Sequence, residues 1–191
     1  MPLRFGRAYV ACAAILLAAA AGTAGHALMR GDGAGDTHEV TVRPAWDTYV
    51  NEAKPDESYG SARQLRADGD PLTVRSYLHF ELPALRGRVL QAELRLHANA
   101  PDPVGILVAP VHSAAWTDTI TWRTAPSVGD PVARGRDVGT GDWVNIDVRG
   151  VVRGAGPVDL ALVSAGDTMV NYSSCDDGQA TAPRLVISTR M

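Results

Sequence analysis

Lysine is all but missing from this chain. Lys54 is the only one, so arginine supplies nearly all of the 18 basic residues, and the formal net charge is −3. That balance gives no basic field with which to gather nucleic acid. Together with abundant alanine and glycine, it has the look of a GC-rich bacterial genome. Cysteine is almost as scarce, with only Cys12 and Cys175. A framework of disulfides is therefore excluded, and the fold must stand on its core or on a metal. Helical periodicity is missing as well. Outside one apolar run near the N-terminus, no long stretch repeats apolar residues at spacings of three and four. The common catalytic signatures are also absent. There is no Gly-x-Ser-x-Gly elbow, no His-Glu-x-x-His pair and no phosphate-binding loop. The five histidines, His26, His38, His79, His97 and His112, do not fall at metal-ligand spacing.

What is present starts with an export signal. Arg4 and Arg7 precede an apolar run from Ala8 to Ala21, and small residues follow it. This is the order of a secretory signal peptide, with cleavage after Ala24 or Ala27. The run is shorter than the ~20 residues a spanning helix needs. Residues 1–27 are therefore expected to be removed, leaving no membrane anchor and a secreted, extracellular protein. Cleavage takes away Arg4, Arg7 and Cys12. It moves the formal charge from −3 to −5 and leaves Cys175 without an internal disulfide partner. Residues 28–38 are rich in Gly and Asp and read as a flexible leader. Residues 39–191 form one domain, large enough for a real core at 46% hydrophobic residues.

That domain reads as strands. Val74, Ser76, Leu78, Phe80 and Leu82 alternate with Arg75, Tyr77, His79 and Glu81. Leu90, Ala92, Leu94, Leu96 and Ala98 alternate with Gln91, Glu93, Arg95 and His97. Strict alternation marks strands with one face on a core and the other toward water. The two runs could pair as a hairpin, with Leu78 opposite Leu94. Alternatively, the short link from Pro83 to Val89 could carry the chain to a facing sheet. Further strands are expected at 47–50, 64–67, 105–111, 132–138, 143–148, 158–163, 169–173 and 185–187. Turn signals recur about every ten residues, the spacing of a sandwich or barrel. The fold class is all-β, an antiparallel, jelly-roll-like β-sandwich of one domain.

The candidate functional residues fall into three sets. Trp46, Trp116, Trp122 and Trp143 could serve as flat platforms for sugar rings, or each could pack into the core. Asp47, Asp68, Asp70 and Asp176 lie in or beside loops, where calcium could gather hard oxygen ligands. Turn aspartates can equally cap their own backbone. Arg63, Arg66, Arg75 and Arg95 sit in loops or on outward strand positions. Their planar forks suit carboxylates, and Tyr77 lies between two of them as a stacking surface.

Several segments resemble a known family. They are Asp47-Thr48-Tyr49-Val50, Ser58-Tyr59-Gly60-Ser61, Arg75 to Leu82, and Ala92-Glu93-Leu94-Arg95-Leu96. The Trp116 to Trp122 segment with Pro126, Trp143 to Val148, and Ala182 to Ile187 complete the set. In this order and spacing they resemble the DNRLRE domain, which overlaps carbohydrate-binding module family 96. The resemblance runs from about Val42 to Ile187. It implies a jelly-roll-like sandwich acting as a non-catalytic module in secreted proteins, some of which bind alginate. Relatives usually carry Ser-Arg-Glu after an aromatic near the end, whereas Tyr172 here precedes Ser173-Ser174-Cys175-Asp176. The expected function is binding of an acidic polysaccharide such as alginate by a monomeric module. A structural cell-surface or matrix sandwich is the first alternative. A polysaccharide lyase using Arg75, Tyr77 and His79 is the second.

Overall fold

A computed structural model describes residues 15–18, 36–112 and 115–191. The cleavage positions after Ala24 and Ala27, and residues 28–35 of the expected leader, lie outside the described residues; Thr37 and His38, expected in the leader, open a strand instead, and Ile15–Ala18, expected in the removed segment, form another. Twelve strands follow in order among those described: β1 (Ile15–Ala18), β2 (Thr37–Val42), β3 (Trp46–Asn51), β4 (Gln64–Ala67), β5 (Val74–Leu82), β6 (Arg88–His97), β7 (Leu107–Pro110), β8 (Ala133–Arg134), β9 (Trp143–Asp147), β10 (Gly156–Val163), β11 (Val170–Ser173) and β12 (Arg184–Arg190). They build two five-stranded antiparallel sheets, ordered β1-β2-β12-β6-β9 and β3-β5-β10-β7-β8. A ribbon of β4 and β11 joins them at one end, where Asp68 bridges Val74 and Ala98 bridges Tyr172. The antiparallel sandwich expected from the alternation is therefore what forms, in a single domain.

The link after β5 makes the jump rather than the hairpin. β5 pairs with β3 and β10, and β6 pairs with β12 and β9. Gly87 takes a φ of 77° on entry to β6, and a Cβ there would collide with the Arg190 carbonyl. Only glycine meets both demands without strain. The jump sets the two apolar rows face to face across the core. Leu78, Phe80, Leu160, Leu162 and Val108 come from one sheet. Ala92, Leu94, Leu96, Ile146, Leu185 and Ile187 come from the other, and all are buried.

The two outer faces differ. Over the β3-β5-β10 sheet, the segment from Trp116 to Val128 folds down as a roof. Trp116 and Ile120 pack there on Val50, Tyr77 and Ala161, with Trp46 and Trp122 alongside. Among the described residues no such roof lies over β2-β12-β6-β9, where the outward residues of β6 and β9 are half-buried or exposed. Among the described residues, one outer face of the sandwich is covered and the other is open.

Candidate functional site

The open face gathers arginines around a tryptophan. β12 threads between β2 and β6, and this sets the neighbours. Arg184 stands opposite Arg95, Arg95 opposite Asn145, and His97 opposite Trp143. Leu185 stands opposite Val42, so Arg43, the next residue on, comes beside Arg184. The Arg184 guanidinium lies over the Trp143 indole, 4.3 Å from the ring centre. His97 meets the same ring edge-on at 5.3 Å, and its Nδ1 lies 3.3 Å from Ser173 Oγ. Arg95 gives Nε and Nη2 to Glu93 Oε2 at 3.2 and 3.0 Å. Arg43 and Arg184 have no carboxylate partner among the described residues. Each instead donates to a main-chain carbonyl, Arg43 to Gln179 O and Arg184 to Ala180 O, both at 3.0 Å. Arg184 is held below the usual arginine range, by partial burial first and then by the charges of Arg43 and Arg95. Three cations thus share one patch, where Glu93 is bonded to Arg95 and Asp147 stands opposite Glu93.

The arginines expected from the sequence do not all reach this patch. Arg95 is in it. Arg75 is on the opposite outer face, because β5 and β6 belong to different sheets, so these two do not flank a common platform. Tyr77 is not a platform at all. It is 0% exposed under the roof, and its hydroxyl donates to Pro126 O at 3.1 Å. Arg66 lies at the β4–β11 ribbon, 5.4 Å over the Tyr49 ring, with Nη2 bonded to Gln64 Oε1. Arg63 is exposed and pairs with Asp177 at 3.2 Å.

Of Arg75, Tyr77 and His79, the last two are buried. His79 is 4% exposed and stacks on Trp46 at 3.9 Å. Its Nδ1 lies 2.7 Å from Asp159 Oδ1 and its Nε2 lies 2.9 Å from Glu81 Oε1. Trp116 Nε1 donates to the same Asp159 oxygen at 2.7 Å. Burial alone pulls the imidazole pKa down. The bonds to Asp159 and Glu81 outweigh it and hold the pKa above its ordinary value. The ring is clamped, with both nitrogens taken by carboxylates.

The four loop aspartates do not converge either. Asp47 pairs with Leu78, while Asp68 bridges Val74, four residues along the same strand. That is roughly 13 Å at the usual strand rise. Asp68 Oδ1 accepts from Gly69 N at 2.9 Å, an ordinary turn bond, and Asp70 follows in the same turn. Asp47 does come near Asp176, and both lie near Asp118. Asp47 is 3% exposed, with Oδ2 accepting from Cys175 N at 2.9 Å. Burial, with smaller contributions from Asp176 and Asp118, raises its pKa to about 7. Among the described residues, no three His, Cys, Asp or Glu side chains are placed to hold a metal ion.

The sequence reading did not single out Arg43 and Arg184. Nothing local marks them, since their meeting depends on β12 running between β2 and β6. Trp143 carried a visible signal, as the one tryptophan in an alternating run whose opposite row is wholly apolar. The family model of carbohydrate-binding module family 96 matches residues 38–189. No curated protein matches the chain.

Proposed function

Because the chain belongs to carbohydrate-binding module family 96, we propose that it binds an acidic polysaccharide on the open face, through Arg43, Arg95 and Arg184 around Trp143. The observation that carries this reading is the pair of guanidiniums without carboxylate partners, one of them laid on an indole. Packing like charges together is unfavourable unless an anion takes them up, and a planar fork fits a carboxylate in two-point contact. The open sheet suits an extended chain. The role is that of a binding module without catalysis, working outside the cell after export. Alginate is the test polymer.

The whole protein is net negative, at −3, so long-range attraction opposes a polyanion. Contact must come from the local arginines, and added salt should weaken it because exposed charges are screened beyond ~8 Å at physiological ionic strength. Arg43→Ala combined with Arg184→Ala should abolish retention on an alginate column. Each lost charged hydrogen bond contributes about 1.5–3 kcal/mol, roughly tenfold or more in affinity. The melting temperature should hardly move, because both side chains lie on the surface. A double variant retained as well as the parent would remove this face from consideration. A parent that ignores acidic and neutral polysaccharides alike would favour a purely structural sandwich.

A further inference from the structure

The roofed face carries a second arginine laid on a tryptophan. Arg75 projects outward from β5, opposite Val50 of β3. Its guanidinium lies 4.5 Å over the Trp122 ring. Around it is a groove of about 230 Å³ lined by Arg75, Tyr77, Trp122, Ala125, Pro126 and Ser127. The bond from the Tyr77 hydroxyl to Pro126 O ties the far wall to the sheet. The arginine therefore stands on a strand paired on both sides, and the opposite wall is fixed. Among the described residues, Arg75 has no carboxylate partner. The exposed face of the sandwich and this groove thus share one device, an uncompensated guanidinium seated on an indole.

We propose that this groove is a second carboxylate-binding site and that the module ties two polysaccharide chains together. This rests on the acidic-glycan reading of the open face. The groove is smaller than the ~300–1,000 Å³ of pockets that enclose a drug-sized ligand. It takes one uronate ring, at a chain end or a branch, and not an internal run of the polymer. The two sites face away from each other, on sheets roughly 10 Å apart with outer side chains beyond. A chain seated on one face leaves the other free, so a second chain fills it. A module with a site on each face is a cross-link.

Two measurements on the exported protein test this. Titration with a mannuronate trimer should give two sites per chain for the parent. Low-shear viscosity of dilute alginate should rise when the parent is added. Arg75→Ala should reduce the count to one and cancel the viscosity gain, while column retention through the open face persists. Arg75→Gln, which keeps the side chain long enough to lie on Trp122, should behave the same way and guards against an unfolded Ala variant. One site in the parent, or an unchanged viscosity gain in both Arg75 variants, would overturn the proposal. Loss of all retention in the Arg75 variants would also overturn it, since the groove would then be the sole site. Retention lost only in the Arg43/Arg184 variant, with two sites in the parent, would uphold both readings.

Discussion

Asp47→Asn is expected to stabilise the protein at pH 8 by about 4 kcal/mol and to change little below pH 4. The carboxyl is buried in the first residues of β3 and meets no cation among the described residues. Burial raises its pKa from 3.8 to about 7, helped by Asp176 and Asp118, while the bonds from Cys175 pull the other way. The folded state therefore holds a proton that the unfolded chain has already lost. Stability from this group is complete below pH ~3.8 and drains away as pH rises toward about 7. Above that, the native state contains a buried carboxylate. An amide keeps an oxygen to accept from Cys175 N and carries no charge. Denaturant midpoints of parent and variant at pH 4 and pH 8 give the difference directly. A variant less stable than the parent at pH 8 would mean that the carboxylate is compensated. If chelating calcium weakened the parent equally, the compensating group would be that ion.

The second large effect belongs to the core. Leu94 is 0% exposed at the middle of β6, with Ile146 and Leu185 beside it on β9 and β12. The opposing sheet brings Leu78, Phe80 and Leu160 into the same core. Neighbours held in two hydrogen-bonded sheets cannot close around a missing side chain. Leu94→Ala should therefore cost ~2–5 kcal/mol. Glu93, one residue earlier, points outward and holds Arg95 and Gln91. Glu93→Ala removes only a surface pair and should cost under ~1 kcal/mol. Urea melts of the two variants report both numbers. Similar losses would contradict the inward and outward rows assigned to β6.

Much of the architecture could be read from the chain, and the missing parts share a cause. Gln64–Ala67 was expected as a strand and is one, and Trp143–Asp147 ends within a residue of its expectation. Alternation reports which face of a strand is apolar, and that was enough for the sandwich. It is silent on which strand lies alongside, because a hairpin and a sheet-to-sheet jump bury the same rows. This is why Arg75 and Arg95 were expected together and stand apart. It is equally silent on a third layer. Tyr77 and His79 occupy outward positions, and water was the natural expectation for them. A hint lay in β10, where Ala161 and Val163 are apolar on the same outward row. Arg43 and Arg184 lie far apart in the chain, and only the threading of β12 makes them neighbours.

The bonds that hold these two arginines also determine what a ligand must undo. Gln179 and Ala180 offer consecutive peptide carbonyls, one to each guanidinium. The open face is therefore latched, with its cations engaged by the bend that leads into β12. A carboxylate that takes both forks must release both carbonyls to water. Part of its interaction energy is spent on that exchange, so affinity should be lower than the contacts alone suggest. The bend then becomes a reporter of occupancy. Its closing bond, Ala182 N to Gly178 O, loses two outside ties when the face is filled. Amide exchange at Ala182 should quicken on saturation with alginate while the strands beneath it slow. Occupation of the surface would be read from a peptide that the sugar never touches.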